Sequence, residues 1–370
     1  MTGSTPPSWF HPLVGADPKT LRWALSSHGP ISPRRRTAIW ATRLGAAYRR
    51  PFMAIEKARV SRRLAKSPPM PAPVFIVGHW RSGTTHLYNV LSRSPAFGWV
   101  PPFAAGLPWD FMGVVGPIRT VLESHLPSDR MIDNIPVTPD SPQEDELPLA
   151  LMSTVSYYHG LFFPSRFEHH FNRGIFFEGC TPEEIADWRD SFSYFLRKVA
   201  LVQPGLPLLL KNPVHSVRIP MLRRMWPDAR FIHIHRNPYV VYPSTRRTFG
   251  TLLDSFALQD HGHVDLDRFV LDLYPRLMNR LMEDTRDLPP SHYAEIRFED
   301  FEREPMAELE RVHRDLDLPG WPEAEPRFRA YLDSIQGYQK NSHRYPPEDV
   351  ARVGRHWEPL IRRWGYAPPA

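Results

Sequence analysis

One stretch constrains this 370-residue chain more than any other: Pro73-Val-Phe-Ile-Val-Gly-His-Trp-Arg-Ser-Gly-Thr-Thr85. The run from Val74 to Val77 is short, apolar and rich in β-branched residues, the pattern of a buried parallel strand. Gly78 and Gly83 bound a loop whose backbone can turn tightly enough for its N–H groups to face an anion. From Thr84 a helical pattern takes over, and the first turn of a helix offers unpaired N–H groups and the positive end of its dipole. Strand, glycine loop and helix in this order make a phosphate cradle and place the chain among α/β folds.

The spacing of Gly78, Gly83, Thr84 and Thr85 copies the nucleoside-triphosphatase loop G-x-x-x-x-G-K-[ST] except that Thr84 replaces the lysine that reaches the β- and γ-phosphates. A cation stands inside the loop instead, at Arg81, whose fork of donors can span oxygens on two linked anionic groups. That exchange argues against ATP hydrolysis and counts against a small-molecule kinase, the competing reading of such a loop. The run Arg81-Ser-Gly-Thr-Thr85 resembles the 5′-phosphosulfate loop of sulfotransferases. The resemblance implies a P-loop-like fold and a donor site that includes Gly78, His79, Trp80, Arg81, Ser82, Gly83, Thr84 and Thr85.

Further along, strand and helix signals alternate. Strands are expected at 207–211, 230–235 and 293–298, and helices at 84–91, 182–199, 266–288, 306–316, 326–335 and 347–364. Alternation of this kind argues for one parallel sheet with helices on both faces. Upstream, Arg34 to Lys66 reads as two amphipathic helices split by Pro51. Residues 95–117 are aromatic and proline-broken, suited either to covering the core or to walling an acceptor pocket. After three acids, one aromatic-rich helix is expected from Leu147, carrying Leu151, Met152, Val155, Tyr158, Phe162, Phe163 and Phe167.

Three of the expected strand ends carry a cation, Arg81, Lys211 and Arg236, along the edge where such sheets bind ligands. Arg236-Asn-Pro, with Ser244 eight residues after the arginine, is similar to the sulfotransferase 3′-phosphate site. Lys211-Asn-Pro213 is similar to the strand-end lysine of the bacterial and tyrosylprotein-type branch, which helps neutralise the bridging oxygen. The resemblance covers residues 73–365 and implies 3′-phosphoadenosine 5′-phosphosulfate as co-substrate, 3′,5′-diphosphoadenosine as product, and no metal. Tyr338, Lys340, Asn341 and Arg344 stand where related enzymes close the donor site, which implies Lys340 and Asn341 as donor contacts, although the run lacks the glycines of the cytosolic branch.

Sulfuryl transfer, like phosphoryl transfer, passes through a loose transition state in which negative charge builds on the bridging oxygen. Arg81, Lys211 and the Thr84 and Thr85 N–H groups are the expected stabilisers of that charge. A base must take the acceptor's proton. Relatives use a histidine after the strand-end lysine or a glutamate downstream of the first loop, and here the latter position falls among Val100, Pro101, Pro102 and Phe103. Glu144 and Glu146, in an acid cluster after Pro142, are the leading candidates, and His215 is the rival.

Charge divides the chain. Residues 1–70 hold 13 Lys or Arg against Asp17 and Glu56, a net of +11, so the other 300 residues sum to about −5 within a total of +6. The expected layout is a basic, mostly helical arm over 1–70 followed by one sulfotransferase domain over 71–370. The arm is a solvated face or an attachment to an anionic membrane surface or an anionic partner. Its extreme form would be a non-catalytic anion- or membrane-binding protein. No zinc, helix-turn-helix or RNA-binding signature accompanies the charge, so nucleic acid is not an expected partner. One cysteine, Cys180, and no signal-peptide pattern suit a cytoplasmic, membrane-peripheral protein. The aromatic excursion and basic arm favour an amphipathic or lipid-like hydroxyl acceptor over a free sugar.

Overall fold

A computed structural model of the chain describes residues 11–113, 141–335 and 345–368. They form two compact units: residues up to 69 with 100–202 and 250–264, and residues 70–99 with 203–249 and 265 onward.

The second unit is built on four parallel strands: β1 (Val74–Val77), β2 (Leu209–Lys211), β3 (Arg230–His235) and β4 (Tyr293–Arg297), in the order β2-β1-β3-β4. Every residue of β1 is buried, as a central strand covered on both faces requires. Val74 and Ile76 join Ile232, Ile234 and Ile296 in one apolar cluster with Leu87, Leu91, Leu309, Val312 and Phe328 from the helices Thr84–Leu91, Pro305–Asp315 and Trp321–Ser334. Phe75 points the other way, stacking on Phe231 at 5.5 Å and meeting the edge of His215 at 5.1 Å. Burying each such side chain contributes about 1.5–3 kcal/mol.

The chain leaves β1 toward β2 and leaves β3 toward β4, so the sheet has its topological switch between β1 and β3. Ligands of open parallel sheets sit in the crevice outside the strand carboxyl ends at that point. Here the loops that follow β1 and β3 carry Arg81 and Arg236.

Three expected helices differ. Arg36–Leu64 is one continuous helix of 29 residues with Pro51 inside it, in place of two helices split there. Pro51 removes the N–H that would bond the Ala47 carbonyl, but both residues are exposed, so water can satisfy that carbonyl. Buried ion pairs hold the helix on both sides of the proline. Arg49 pairs with Asp110, and Glu56 lies 2.6 Å from Lys198.

The aromatic-rich helix expected from Leu147 is instead broken into Glu146–Met152, Tyr158–Phe162 and Phe167–Phe176. Ser153 and Ser156 divert the backbone by accepting the N–H groups of Val155 and Tyr158 at 3.1 and 3.2 Å. The final helix is likewise two, Pro347–His356 and Glu358–Trp364, broken at Trp357, whose ring stacks on Tyr274 at 4.0 Å while its N–H reaches the Leu271 carbonyl at 2.9 Å. Among the described residues no helix is long and apolar enough to cross a membrane.

Two glycines of the second unit separate backbone strain from steric conflict. Gly83 has φ +99°, and a Cβ there would lie 2.2 Å from Phe298 Cδ2; Gly205 has φ +80° with nothing within 4 Å. Gly205→Ala should therefore cost only the left-handed penalty of about 1–2 kcal/mol. Gly83→Ala should add overpacking of about 1–3 kcal/mol. Urea denaturation of both variants checks the difference.

Candidate functional site

The loop after β1 departs from ordinary backbone at three positions. Gly78, Arg81 and Gly83 have φ of +138°, +69° and +99°. A Cβ on Gly78 would strike the Ile234 carbonyl oxygen of β3 at 2.4 Å. Arg81 holds a left-handed conformation that a non-glycine residue adopts only under constraint. That constraint is visible. The Gly78 N–H donates to Ser216 Oγ at 2.9 Å, Ser82 Oγ donates to the His79 carbonyl at 2.8 Å, and Arg81 Nε donates to Ser244 Oγ at 2.9 Å.

The helix Thr84–Leu91 then begins at Gly83 with no capping side chain, leaving its first-turn N–H groups without an internal cap. Lys211, buried at the end of β2, donates its Nζ to Thr85 Oγ1 at 3.1 Å. Its position follows from the register, which pairs Lys211 with Ile76, two residues before Gly78.

Arg236 follows β3, and its guanidinium lies 4.2 Å from the centre of the Phe298 ring, the ring that also occupies the space beside Gly83. Burial pulls the Arg236 pKa down, and Arg81 pulls in the same direction, while Glu299 and Glu302 oppose them. The guanidinium stays charged in all circumstances relevant to a protein. Glu299 also braces the turn, accepting the Asn237 N–H at 3.0 Å and the Tyr366 hydroxyl at 2.9 Å. Tyr366 in turn lies 2.9 Å from His235 Nδ1, so the chain's last described segment is tied to the end of β3.

Of the residues singled out in the sequence, Arg81, Ser82, Gly83, Thr85, Lys211, Arg236 and Ser244 are drawn together in the second unit by the contacts above. His79 and Trp80 belong to the same loop, but their side chains are buried, against Tyr274 at 4.8 Å and Phe249 at 5.5 Å, and offer the site main chain only. His215 is fully buried beside Phe75. Glu144 and Glu146 lie in the first unit: Glu144 is partly exposed, and Glu146 is buried, accepting the Ser156 hydroxyl at 2.8 Å. Tyr338, Lys340, Asn341 and Arg344 lie outside the described residues.

Ser216, Phe298, Glu299 and Tyr366 did not stand out in the sequence. Phe298 ends the strand expected at 293–298, Glu299 falls between that strand and the helix expected from 306, and Tyr366 lies past the last expected helix. Only long-range pairing reveals what they support.

Two loops on either side of a parallel switch point, with guanidinium groups, a strand-end lysine and an uncapped helix start, define an α/β protein of the P-loop-like class. The comparisons make the class specific. Residues 73–323 match the sulfotransferase family. The omega-hydroxy-beta-dihydromenaquinone-9 sulfotransferases Stf3 of Mycobacterium bovis and Mycobacterium tuberculosis are each 32% identical over 311 residues, covering 84% of this chain and 79% of theirs. Among solved structures, sulfotransferase STF9 from Mycobacterium avium has a TM-score of 0.72 at 18% identity, covering 93% of this chain and 89% of its own. STF1 from Mycobacterium tuberculosis has a TM-score of 0.66 at 15% identity, with 92% and 90% covered. The chain belongs to the sulfotransferase family.

Two histidines beside the site, His79 and His235, are held neutral. Burial lowers His79 to about 4, although the Trp80 carbonyl works in the other direction. Burial lowers His235 to about 3, with His233 adding to the effect. The unfolded chain takes up these protons near pH 6.5 and the folded chain does not, so stability is full above that pH and is lost as pH falls toward 4 and 3. Each histidine should contribute about 1.4 kcal/mol per pH unit to the slope within its window. Denaturation of His79→Asn between pH 6.5 and 4.5 should show a slope shallower by about one proton than the unsubstituted chain.

Proposed function

We propose that this sulfotransferase takes its sulfuryl group from 3′-phosphoadenosine 5′-phosphosulfate and delivers it to a hydroxyl on a lipid-like acceptor, releasing 3′,5′-diphosphoadenosine. The observation that carries the donor reading is the Arg81–Ser244 bond of 2.9 Å, which joins the loop after β1 to the helix that follows Arg236. The two stretches that resemble the family's 5′ and 3′ anion sites therefore share one crevice. Gly78 and Gly83, where a Cβ would collide with neighbouring atoms, supply the close backbone approach that a phosphosulfate group needs.

When bound, the donor supplies an activated sulfuryl group on a phosphate leaving group. The chain does the rest. The first-turn N–H groups after Gly83 and the Arg81 guanidinium bind the anionic end, while Arg236 and Ser244 bind the ribose phosphate. Lys211, held against Thr85, offers a cation to the charge that develops on the bridging oxygen. Loss of the acceptor proton falls to Glu144 or Glu146, with His215 as the alternative. Lys340 and Asn341 complete the donor contacts in this reading.

The lipid-like acceptor rests on two supports: the 32% identity to proteins named for sulfation of a hydroxylated dihydromenaquinone, and the aromatic content of residues 95–167. We place the reaction in the cytoplasm at the membrane periphery, consistent with a sequence that holds one cysteine, Cys180.

Calorimetric titration tests the donor reading. The chain should bind 3′,5′-diphosphoadenosine more tightly than AMP, and Arg236→Ala should erase the difference by weakening only the former, about 10- to 100-fold for a charge-assisted contact. Preference for ATP with magnesium would refute it. Lys211→Ala should lower kcat about 100- to 1,000-fold while leaving the affinity for the diphosphoadenosine product nearly unchanged. Glu144→Gln or Glu146→Gln should abolish turnover without weakening donor binding; full turnover in both moves the proton to His215.

A further inference from the structure

The helix Arg36–Leu64 holds two charged residues on its otherwise mainly apolar buried face and four large apolar residues on its exposed one. Its inner face carries Ile39, Ala46, Met53 and Val60 together with the ion-paired Arg49 and Glu56. On the opposite face Trp40, Leu44, Tyr48 and Ile55 are 64%, 65%, 71% and 51% exposed, and Val202 is the one other large hydrophobic exposed to a comparable degree among the described residues. The first three stand four residues apart and Ile55 seven beyond Tyr48, spacings that align them on one side of a helix.

Basic residues border this stripe. Arg36, Arg43, Arg50 and Lys57 recur every seven residues, and all four are exposed. Arg59, Arg62 and Lys66 extend the positive charge past Ile55. Glu56, the helix's only acid, is buried against Lys198. Alongside, a groove of about 330 Å³ opens between this helix and the helix Pro18–Ser26, with Arg22, Arg43 and Arg50 around Leu21, Ala46 and Ala47. Among the described residues none of these three arginines has a carboxylate partner.

We propose that this face docks the chain on an anionic phospholipid surface. Trp40, Leu44, Tyr48 and Ile55 enter the boundary between headgroups and acyl chains, where amphipathic aromatic rings are favoured. Arg22, Arg43 and Arg50 take a lipid phosphate into the groove, and the heptad row of cations meets the negative surface potential. Charge complementarity selects this occupant. A second copy would bring two all-positive faces together, which like-charge repulsion opposes.

The test is vesicle flotation of the full chain without donor or acceptor, so its failure would leave the proposed reaction untouched. The chain should float with phosphatidylcholine vesicles that contain phosphatidylglycerol and stay behind with phosphatidylcholine alone. Replacing both Arg43→Ala and Arg50→Ala should lower the partition coefficient about 30-fold, since each surface cation contributes a factor of about five. The triple substitution Trp40→Ser, Leu44→Ser and Tyr48→Ser should lower it at least as far, with a cooperative thermal melt lowered by only a few degrees because all three side chains are largely exposed. Equal partition onto neutral vesicles, or displacement by inorganic phosphate at constant ionic strength, would overturn the proposal. So would a soluble dimer that the triple substitution dissociates.

Discussion

The site depends on a backbone that must pass closer to its neighbours than a side chain would allow. At Gly78 the missing Cβ leaves room for the Ile234 carbonyl of the adjacent strand, and at Gly83 it leaves room for the Phe298 ring. Between them Arg81 is held at positive φ, and its guanidinium is thereby aimed across the sheet's switch point to Ser244. A loop bent in this way brings a cation close to the uncapped start of the helix Thr84–Leu91. Everything that resembles a nucleotide site in this chain follows from that bend.

The supports of the loop come from all three of the other strands. Ser216, just past β2, holds Gly78; Lys211, ending β2, meets Thr85; Arg236, ending β3, lies on Phe298, just past β4. Glu299 and Tyr366 then fix the turn after β3 from two distant parts of the sequence. A parallel sheet brings such residues together because its register sets all strand ends on one edge. Burial keeps His79 and His235 neutral beside these cations, which avoids adding like charge to the crevice.

In the first unit the same economy of charge works differently. Two buried ion pairs join Ile39, Met53, Val60 and Leu64 in fixing the long basic helix, while four other large apolar side chains, Trp40, Leu44, Tyr48 and Ile55, are turned outward. An amphipathic helix with a single apolar stripe would have kept Trp40 and Tyr48 from solvent. The second stripe is left over from packing, and Pro51 remains within one helix because the anchors on both sides of it are tertiary.

What the sequence determined by itself was local. The strand, glycine loop and helix from Val74 to Leu91, the strand Arg230–His235 and the capped helix from Pro182 were all legible, because β-branched runs, glycine pairs and a Thr-Pro-Glu-Glu cap act within a few residues of themselves. The cations of the site were legible as strand ends for the same reason. Tertiary structure alone decided the order β2-β1-β3-β4, the contact between Arg81 and Ser244, the parts played by Phe298 and Tyr366, the continuity of Arg36–Leu64 and the breaks at Ser153 and Trp357. Those depend on partners up to 215 residues away, as Gly83 and Phe298 are, and on burial that no window of sequence contains. Short-range preference can propose an element, but packing decides where it stops and what it touches.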